Sequence, residues 1–319
     1  MIARGVPGGV VCAALFAVFS LSLAGACSAP VESIGVDHSA DTADEGFCRT
    51  RTCTPPSDYP KDGLCEPPNW AQSPTCAGAE SDAPEWWRTA CIGYDLNENA
   101  SKSVTYAQFS DAVRGAFVAW TQTTCPAPTG AGGHPSVDVR DLGAVPCARA
   151  AYDKTGGPNQ NVIVFHDDAW PYEAEDRKKS GLSKSPTIAL TTVTADVETG
   201  EIYDADIELN AADYTIVPLT AGVPNTNDAF DLQAVLTHEI GHFFGLAHSP
   251  RPDAVMFSSG DSDNGTAKRS LAAVDQLAIC TVYPADGTRA VSALADGSGS
   301  VREGACDPTP HHGFTPTCP

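Results

Sequence analysis

The chain has 319 residues, twelve cysteines and a formal net charge of −21. The length allows a domain with a hydrophobic core and additional segments around it, and the strong negative charge excludes nonspecific binding to nucleic acid, because a polyanion would be repelled. Some of the carboxylates are suited to bind extracellular calcium, and the others are expected to form a solvated surface.

Residues 1–26 have the pattern of an export signal. A single early positive charge, Arg4, precedes an apolar run from about Val10 to Leu23, and small residues follow before Cys27. The run is short for a membrane span, and no stop-transfer charges follow it. The residues before Cys27 fit an ordinary signal peptidase and also resemble a bacterial lipobox. The sequence therefore predicts an exported protein, with a cell-envelope lipoprotein favoured over a secreted one and membrane contact only through lipid on Cys27.

The cysteine count agrees with export. If Cys12 leaves with the signal and Cys27 carries lipid, ten cysteines remain, an even number that suits five disulfides in an oxidising compartment. Metal ligation is disfavoured for them, because no two form a C-x-x-C pair. The ten are Cys48, Cys53, Cys65, Cys76, Cys91, Cys125, Cys147, Cys280, Cys306 and Cys318.

Composition divides the mature chain into four segments. Residues 27–45 are small and polar, which predicts a flexible tether. Residues 46–82 contain four cysteines and six prolines, which predicts a Cys-rich segment unable to bury a core alone. Residues 83–285 are long enough for one globular domain, and residues 286–319 form a tail rich in Gly, Ser and Pro with two cysteines.

Residue patterns predict an α+β fold for the main domain. Apolar residues between Tyr106 and Thr121 have helical spacing and include Trp120, which we assign to the core, while residues 201–210 alternate apolar with acidic side chains, as in a strand with one polar face. The predicted elements are a strand within Trp87–Tyr94, a helix at Tyr106–Thr121, strands at Asn161–Phe165, Thr187–Thr194 and Glu201–Asn210, a helix capped by Asn227 or Asp228 and ending near Phe244, and a last helix from Leu271 to about Cys280.

The most specific pattern in the chain is H-E-x-x-H-x-x-G-x-x-H, which begins at His238. On a helix, His238 and His242 project from one face, one turn apart, with Glu239 beside them. Gly245 permits the positive φ that ends a helix, so the chain can turn and bring His248 back toward the same point. Three neutral imidazoles leave one tetrahedral position open, which is typical of a catalytic zinc.

With these residues in place, the chain resembles the metzincin zinc endopeptidases. Residues 253–257 look like the Met-turn of that family, in which a methionine, here Met256, lies beneath the histidines. Ser249 after the third histidine is similar to the matrixin branch, and weaker similarity extends over residues 85–285, where the last helix ends at Tyr283-Pro284. The resemblance implies a metzincin-like catalytic domain with a twisted mixed sheet, an active-site helix and a C-terminal helix.

The resemblance also implies a function. It predicts an exported zinc-dependent endopeptidase with one catalytic zinc held by His238, His242 and His248. Glu239 is then the general base for a zinc-bound water, and proteins or peptides are the substrates. In the family the substrate lies along an edge strand, for which Leu190–Thr194 is the candidate here. A monomer is expected.

Two departures from the family pattern bear on control of the site. No cysteine-switch sequence is present, and the stretch between Phe165 and Thr187 offers only His166-Asp167-Asp168 where vertebrate matrixins have several histidines for a structural zinc. The Cys-rich segment either shields the site as a propeptide or packs on the main domain, and packing is favoured. Two functional alternatives remain open: a non-catalytic zinc-binding surface lipoprotein, or a protease restricted to processing its own N-terminal segment.

Overall fold

The computed structural model describes residues 47–49, 83–89, 91–127, 129, 132–153, 159–182, 185–196, 199–223, 225, 228–258, 265–285 and 318. The predicted export signal and tether, most of residues 46–82 and most of the C-terminal tail lie outside these residues, and so do their predictions. Within the described part, no helix combines the length and apolar character needed to cross a membrane.

The described residues form nine strands and four α-helices. In chain order these are β1 (Cys48–Arg49), β2 (Cys91–Asn97), α1 (Tyr106–Thr121), β3 (Asp138–Val145), β4 (Val162–Phe165), α2 (Glu173–Ser180), β5 (Ala189–Ala195), β6 (Ile202–Leu209), β7 (Ile216–Val217), β8 (Phe230–Asp231), α3 (Leu232–Phe243), β9 (Leu246–Ala247) and α4 (Ala273–Val282), with a 3₁₀ helix at Ala267–Arg269 before α4.

Five strands form one mixed sheet in the order β3-β2-β4-β6-β5. Strand β2 pairs in parallel with β3 and β4, and β4 pairs in parallel with β6. Strand β5 runs antiparallel to β6 and forms one edge of the sheet. A mixed sheet combined with helices confirms the predicted α+β class.

Helix α1 joins the sheet to α3 through aromatic side chains. Phe117 stacks on Tyr94 of β2 with ring centroids 4.5 Å apart, and it meets Phe243 of α3 edge to face at 5.3 Å. Trp120 is completely buried, and its indole N–H donates a hydrogen bond to the Thr237 carbonyl at 2.7 Å. The core role predicted for Trp120 is confirmed, and α1 thereby holds the backbone of α3.

The bounds predicted for α1 are confirmed, because local signals define both of its ends. Thr105 and Gln108 form a capping box at its start. Strand β2, by contrast, begins later than the pattern predicts, at Cys91 and not at Trp87. The backbone of Trp86 pairs instead with residues 200–202, since its N–H donates to the Gly200 carbonyl and its carbonyl accepts from the Ile202 N–H, both at 2.9 Å.

The predicted start of α3 is wrong by several residues. Asp228 has a left-handed φ of 49°, and Asp231 is the cap, because its carboxylate accepts from the Ala234 N–H at 3.0 Å. The guanidinium of Arg269 donates to both carboxylate oxygens of Asp231, at 2.6 and 2.7 Å. A distant arginine therefore helps to set where the helix begins, which a local pattern does not reveal.

Two disulfides tie the ends of the domain together. Cys125, after α1, is bonded to Cys280 of α4, and Cys147, after β3, is bonded to Cys318 near the end of the chain. Cys91 is also disulfide-bonded. The expectation of disulfides is confirmed for these five cysteines, whose pairing the sequence left open.

The sheet contains a carboxyl group that is buried without hydrogen bonds. Asp95 of β2 has no exposed surface, and neither of its carboxyl oxygens has a hydrogen-bond partner. Burial, with a smaller contribution from Asp141, raises the pKa of Asp95 to about 7. Asp95 is therefore mainly protonated and neutral below pH 7. Above pH 7 it carries a buried negative charge, which is energetically unfavourable.

Asp95→Asn is expected to increase stability more at high pH than at low pH. A carboxyl whose pKa is higher in the folded than in the unfolded chain favours folding below its unfolded pKa, and this contribution is lost as pH rises through the folded pKa of about 7. The gain in unfolding free energy should be larger at pH 8 than at pH 5 by on the order of 2–3 kcal/mol. Urea denaturation at both values measures it.

Glu98→Gln is the matched control, because Glu98 is an exposed carboxylate directly after the same strand and does not contribute to the raised pKa of Asp95. Its effect is expected to be small at either pH. Equal changes for Asp95→Asn at pH 5 and pH 8 would contradict the raised pKa.

Candidate metal centre

Three histidines converge at the C-terminal end of α3. Their candidate ligand atoms all lie within 4.8 Å of one another. The ring centroids of His238 and His242 are 4.9 Å apart, and those of His248 lie 5.2 and 4.8 Å from them. In the described part of the chain, this is the one group of three or more histidine, cysteine or acidic side chains able to hold a metal ion. The structure thus brings the three predicted ligands together.

The turn that returns His248 depends on Gly245. Helix α3 ends at Phe243, and Gly245 has a φ of +87°, a conformation that favours glycine. A β-carbon at this position would also overlap the carbonyl oxygen of Glu85. Both the backbone angle and the lack of space therefore require glycine, as the motif predicts.

Backbone carbonyls orient two of the imidazoles. Nδ1 of His238 lies 2.7 Å from the Val255 carbonyl oxygen, and Nδ1 of His242 lies 2.8 Å from that of Leu246. A carbonyl only accepts, so each Nδ1 carries the proton and each Nε2 keeps a lone pair for a metal.

Burial keeps these imidazoles neutral. It lowers the pKa of His238 to about 4, assisted by His248, and it also lowers the pKa of His242 well below its usual value, assisted by both other histidines. Neutral imidazoles with fixed tautomers are the donor set that zinc prefers, so the residues fit this ion.

A methionine lies directly beneath the metal-binding helix. Met256 is almost completely buried, and a β-carbon at Gly241 of α3 would overlap its sulfur and approach Cζ2 of Trp120 to 2.9 Å. The Met256 carbonyl accepts from the Ser249 N–H at 2.7 Å. Residues 253–257 thus occupy the place predicted for the Met-turn, and they are fastened to the residue after the third histidine.

Asp275 of α4 fixes the Met-turn from the other side. Its buried carboxylate accepts hydrogen bonds from the Val255 N–H at 2.7 Å, the Ala272 N–H at 2.9 Å and the Met256 N–H at 3.3 Å. Since the Val255 carbonyl in turn accepts from His238, the position of one metal-binding ring depends on α4. Asp275 is not among the residues predicted for the site, and its one local signal is its place as an acidic residue in the first turn of the last helix.

Glu239 lies beside the histidines with its carboxyl group buried. Burial raises the pKa of this carboxyl to about 7, and the hydroxyl of Thr191 acts in the opposite direction. Oγ1 of Thr191 is 2.7 Å from Oε2 of Glu239. This threonine oxygen also lies 3.1 Å from the backbone carbonyl oxygen of Glu239. A carboxyl with a pKa near neutrality is suited to accept and release a proton.

Thr191 belongs to β5, the edge strand of the sheet, which packs against α3. The sequence assigned the stretch Leu190–Thr194 to the substrate edge but did not link any of its side chains to Glu239. No local pattern signals this contact, because the two residues are 48 positions apart.

His166 does not join the metal centre. Its Nε2 lies 2.7 Å from Oε1 of Glu208, whose other oxygen accepts from the Tyr172 hydroxyl at 2.7 Å. These contacts lower the pKa of Glu208 despite its burial. Calcium binding by some of the acidic residues stays a prediction.

The comparisons with known proteins agree with this geometry. Residues 150–284 match the family model of the matrixins. No curated protein matches the chain. Over the matched residues the chain is similar to matrixins, and its mixed sheet, together with the helix that carries His238 and His242, is consistent with a matrixin-like metzincin domain. Matrixins are metallopeptidases with a catalytic zinc, which the three histidines fit.

Gly241→Ala is expected to destabilise the protein and its metal centre. The new methyl group would displace Met256 from beneath the helix, and overpacking of this kind costs about 1–3 kcal/mol of unfolding free energy. Urea denaturation gives the stability, and competition with a chelator gives the zinc affinity, which should fall.

Gly115→Ala in α1 is the matched control. Its β-carbon would meet only the end of the Gln233 side chain, with Nε2 at 2.8 Å, and this amide can rotate away. Alanine in a helix interior is favoured over glycine by about 0.5–1 kcal/mol, so this variant should be neutral or more stable. Similar losses in the two variants would argue against a specific role for Met256.

Proposed function

We propose that the protein is an exported zinc-dependent endopeptidase that hydrolyses peptide bonds in proteins, with Glu239 as its general base. One observation carries this proposal: a buried carboxyl with a pKa near 7 lies beside three convergent imidazoles. A site that only stored zinc would gain nothing from such a group, because an uncompensated buried carboxyl is costly.

His238, His242 and His248 would each hold the metal through one ring nitrogen. Zinc, when bound, supplies a Lewis acid that polarises a peptide carbonyl and lowers the pKa of a water molecule. The protein contributes the fixed orientation of the rings, through the carbonyls of Val255 and Leu246. It also contributes a partly dry surrounding, in which charges interact more strongly than in water.

Glu239 would move the proton. As the water oxygen bonds to the peptide carbonyl carbon, Glu239 accepts a proton from that water. It then donates the proton to the departing amine nitrogen as the C–N bond breaks, so the carboxylate is regenerated. Thr191 is a positioning residue in this scheme, because its hydroxyl holds one carboxylate oxygen and leaves the other for the water.

The substrate would bind as an added strand along the free edge of β5. An edge strand presents unpaired backbone groups that can hydrogen-bond to an extended peptide. Thr191 lies on this strand and contacts Glu239. A peptide bound there would therefore be held close to the proton-transferring group.

Export is supported by the disulfides. Bonds such as Cys125–Cys280 and Cys147–Cys318 persist in oxidising compartments. The N-terminal pattern favours attachment to the cell envelope by lipid on Cys27, with secretion as the alternative.

Glu239→Gln is expected to abolish most proteolysis without removing the metal. The amide cannot accept the proton, and loss of a general base lowers kcat by on the order of 10²–10⁴-fold. Quenched fluorescent peptides measure the activity, and elemental analysis measures zinc. His242→Gln is the contrasting variant, since it should lose zinc as well. If Glu239→Gln retained both zinc and full activity, Glu239 would not be the base.

The same experiment separates the alternatives. A wild-type protein that holds zinc but cleaves no member of a broad peptide library would favour a non-catalytic zinc-binding lipoprotein. A protein that cleaves only itself would acquire a new N-terminus that is missing in Glu239→Gln.

Thr191→Val is expected to lower kcat by about 10- to 100-fold while KM changes little, because removal of one hydrogen bond to a charged group costs about 1.5–3 kcal/mol. Thr191→Ser, which keeps the hydroxyl, should restore most of kcat. Thr194→Val, on the opposite face of the same strand, is the control and should behave as wild type. A selective increase in KM for Thr191→Val would show that this side chain binds substrate and does not position Glu239.

A further inference from the structure

Residues 47–49 pack against the metal-binding loop from far away in the sequence. Phe47 is almost completely buried in the main hydrophobic core. Strand β1 pairs antiparallel with β9, so that Cys48 lies opposite Ala247 and Arg49 lies opposite Leu246. These residues are outside the stretch that matches the matrixins.

Strand β9 is the link between the second and third histidines. The Leu246 carbonyl accepts the hydrogen bond from His242 that fixes its ring, and Ala247 directly precedes His248. A strand paired with β9 therefore restricts the backbone on which two of the three ligands depend. The partner that supplies this restriction is β1.

Arg49 makes a second connection to the same loop. Its side chain is buried, and Nη2 donates to the Glu85 carbonyl at 2.6 Å. That carbonyl oxygen occupies the space that a β-carbon of Gly245 would need. Arg49 thus holds Glu85 against the turn where the chain reverses toward His248.

Arg49 also provides the positive charge that compensates the buried Glu85 carboxyl. The Glu85 carboxyl is buried, and burial raises its pKa to about 7, while the positive charge of Arg49 lowers it. Removal of the arginine would leave a buried acid without this compensating charge. Removal of Phe47 would in addition open the core next to it.

We propose that residues 47–49 are a permanent part of the metal centre and that Arg49 is a positioning residue for zinc binding. Residues 47–49 are then retained when the protein matures, so no propeptide that is removed includes them. The mature N-terminus lies before Phe47. This inference rests on zinc binding by the three histidines in the proposed function, and it does not depend on peptidase activity.

Arg49→Met in the full chain tests the proposal, because methionine keeps much of the buried volume and removes the charge and donors. Zinc affinity from chelator competition is expected to fall at least tenfold. Thermal unfolding with zinc and with a chelator gives a second readout: the increase in Tm on zinc addition should shrink, since ligand stabilisation depends on Kd. Arg49→Lys, which can still donate to the Glu85 carbonyl, should recover part of both.

Arg88→Met is the matched control. Arg88 is an exposed arginine that pairs with Glu201 at 3.6 Å on the surface, so its zinc affinity should equal that of the wild type. If Arg49→Met lowered Tm equally with and without zinc and left Kd unchanged, Arg49 would be merely structural and the proposal would fall.

Mass spectrometry of the mature wild-type protein is an independent test that needs no variant to fold. A chain that begins before Phe47 and binds zinc supports the proposal. A chain that begins after Arg49, contains no separate fragment with residues 47–49 and binds zinc tightly overturns it. A wild-type protein without any zinc affinity would remove the proposed function as well, so the two failures are distinguishable.

Discussion

The metal centre depends above all on the backbone carbonyls that hold the histidine rings. Nδ1 of His238 is bound to the Val255 carbonyl and Nδ1 of His242 to the Leu246 carbonyl. An imidazole on a helix can rotate about its side-chain bonds, so spacing alone does not aim its nitrogen. Each carbonyl belongs to a segment outside α3, and each segment is held by a different part of the fold: Asp275 binds the first, and β1 pairs with the second. The geometry of the candidate metal centre is therefore a property of the whole domain.

Two acidic side chains at or near the candidate metal centre are buried at an energetic cost. Glu239 and Glu85 both have pKa values raised to about 7 by burial, and each has one specific neighbour that opposes the shift. Thr191 keeps Glu239 in place from the edge of the sheet, and Arg49 compensates Glu85 behind the turn. In both cases a residue remote in sequence supports a group beside the three histidines or against the turn at Gly245, and such support keeps a site rigid before a ligand arrives. The edge strand and the N-terminal segment thus serve the same centre from two sides.

Several features of this protein were predictable because their signals are local. Helix α1 was predicted with its observed bounds, since its apolar spacing and capping box lie within a few residues of one another. The start of α3 was predicted too early, because Asp231 is selected as the cap by strand pairing and by Arg269 from a distant segment. The predicted start of β2 was also too early in the chain, since the backbone before Cys91 pairs with residues 200–202. In each error a long-range contact prevailed over local preference.

The sequence by itself determined which residues form the candidate site: the three histidines, the acid beside them and the glycine at the turn. These features depend on helical periodicity and on the conformational freedom of glycine, both of which the local amino-acid sequence specifies directly. Only the tertiary structure decided which groups orient them: Thr191 from the edge strand, Asp275 from the last helix and Arg49 from the N-terminal segment. Their contacts join residues 20 to 48 positions apart. Such contacts follow from how strands and helices pack. The residues that form them have no regular spacing in the sequence by which they could be recognised.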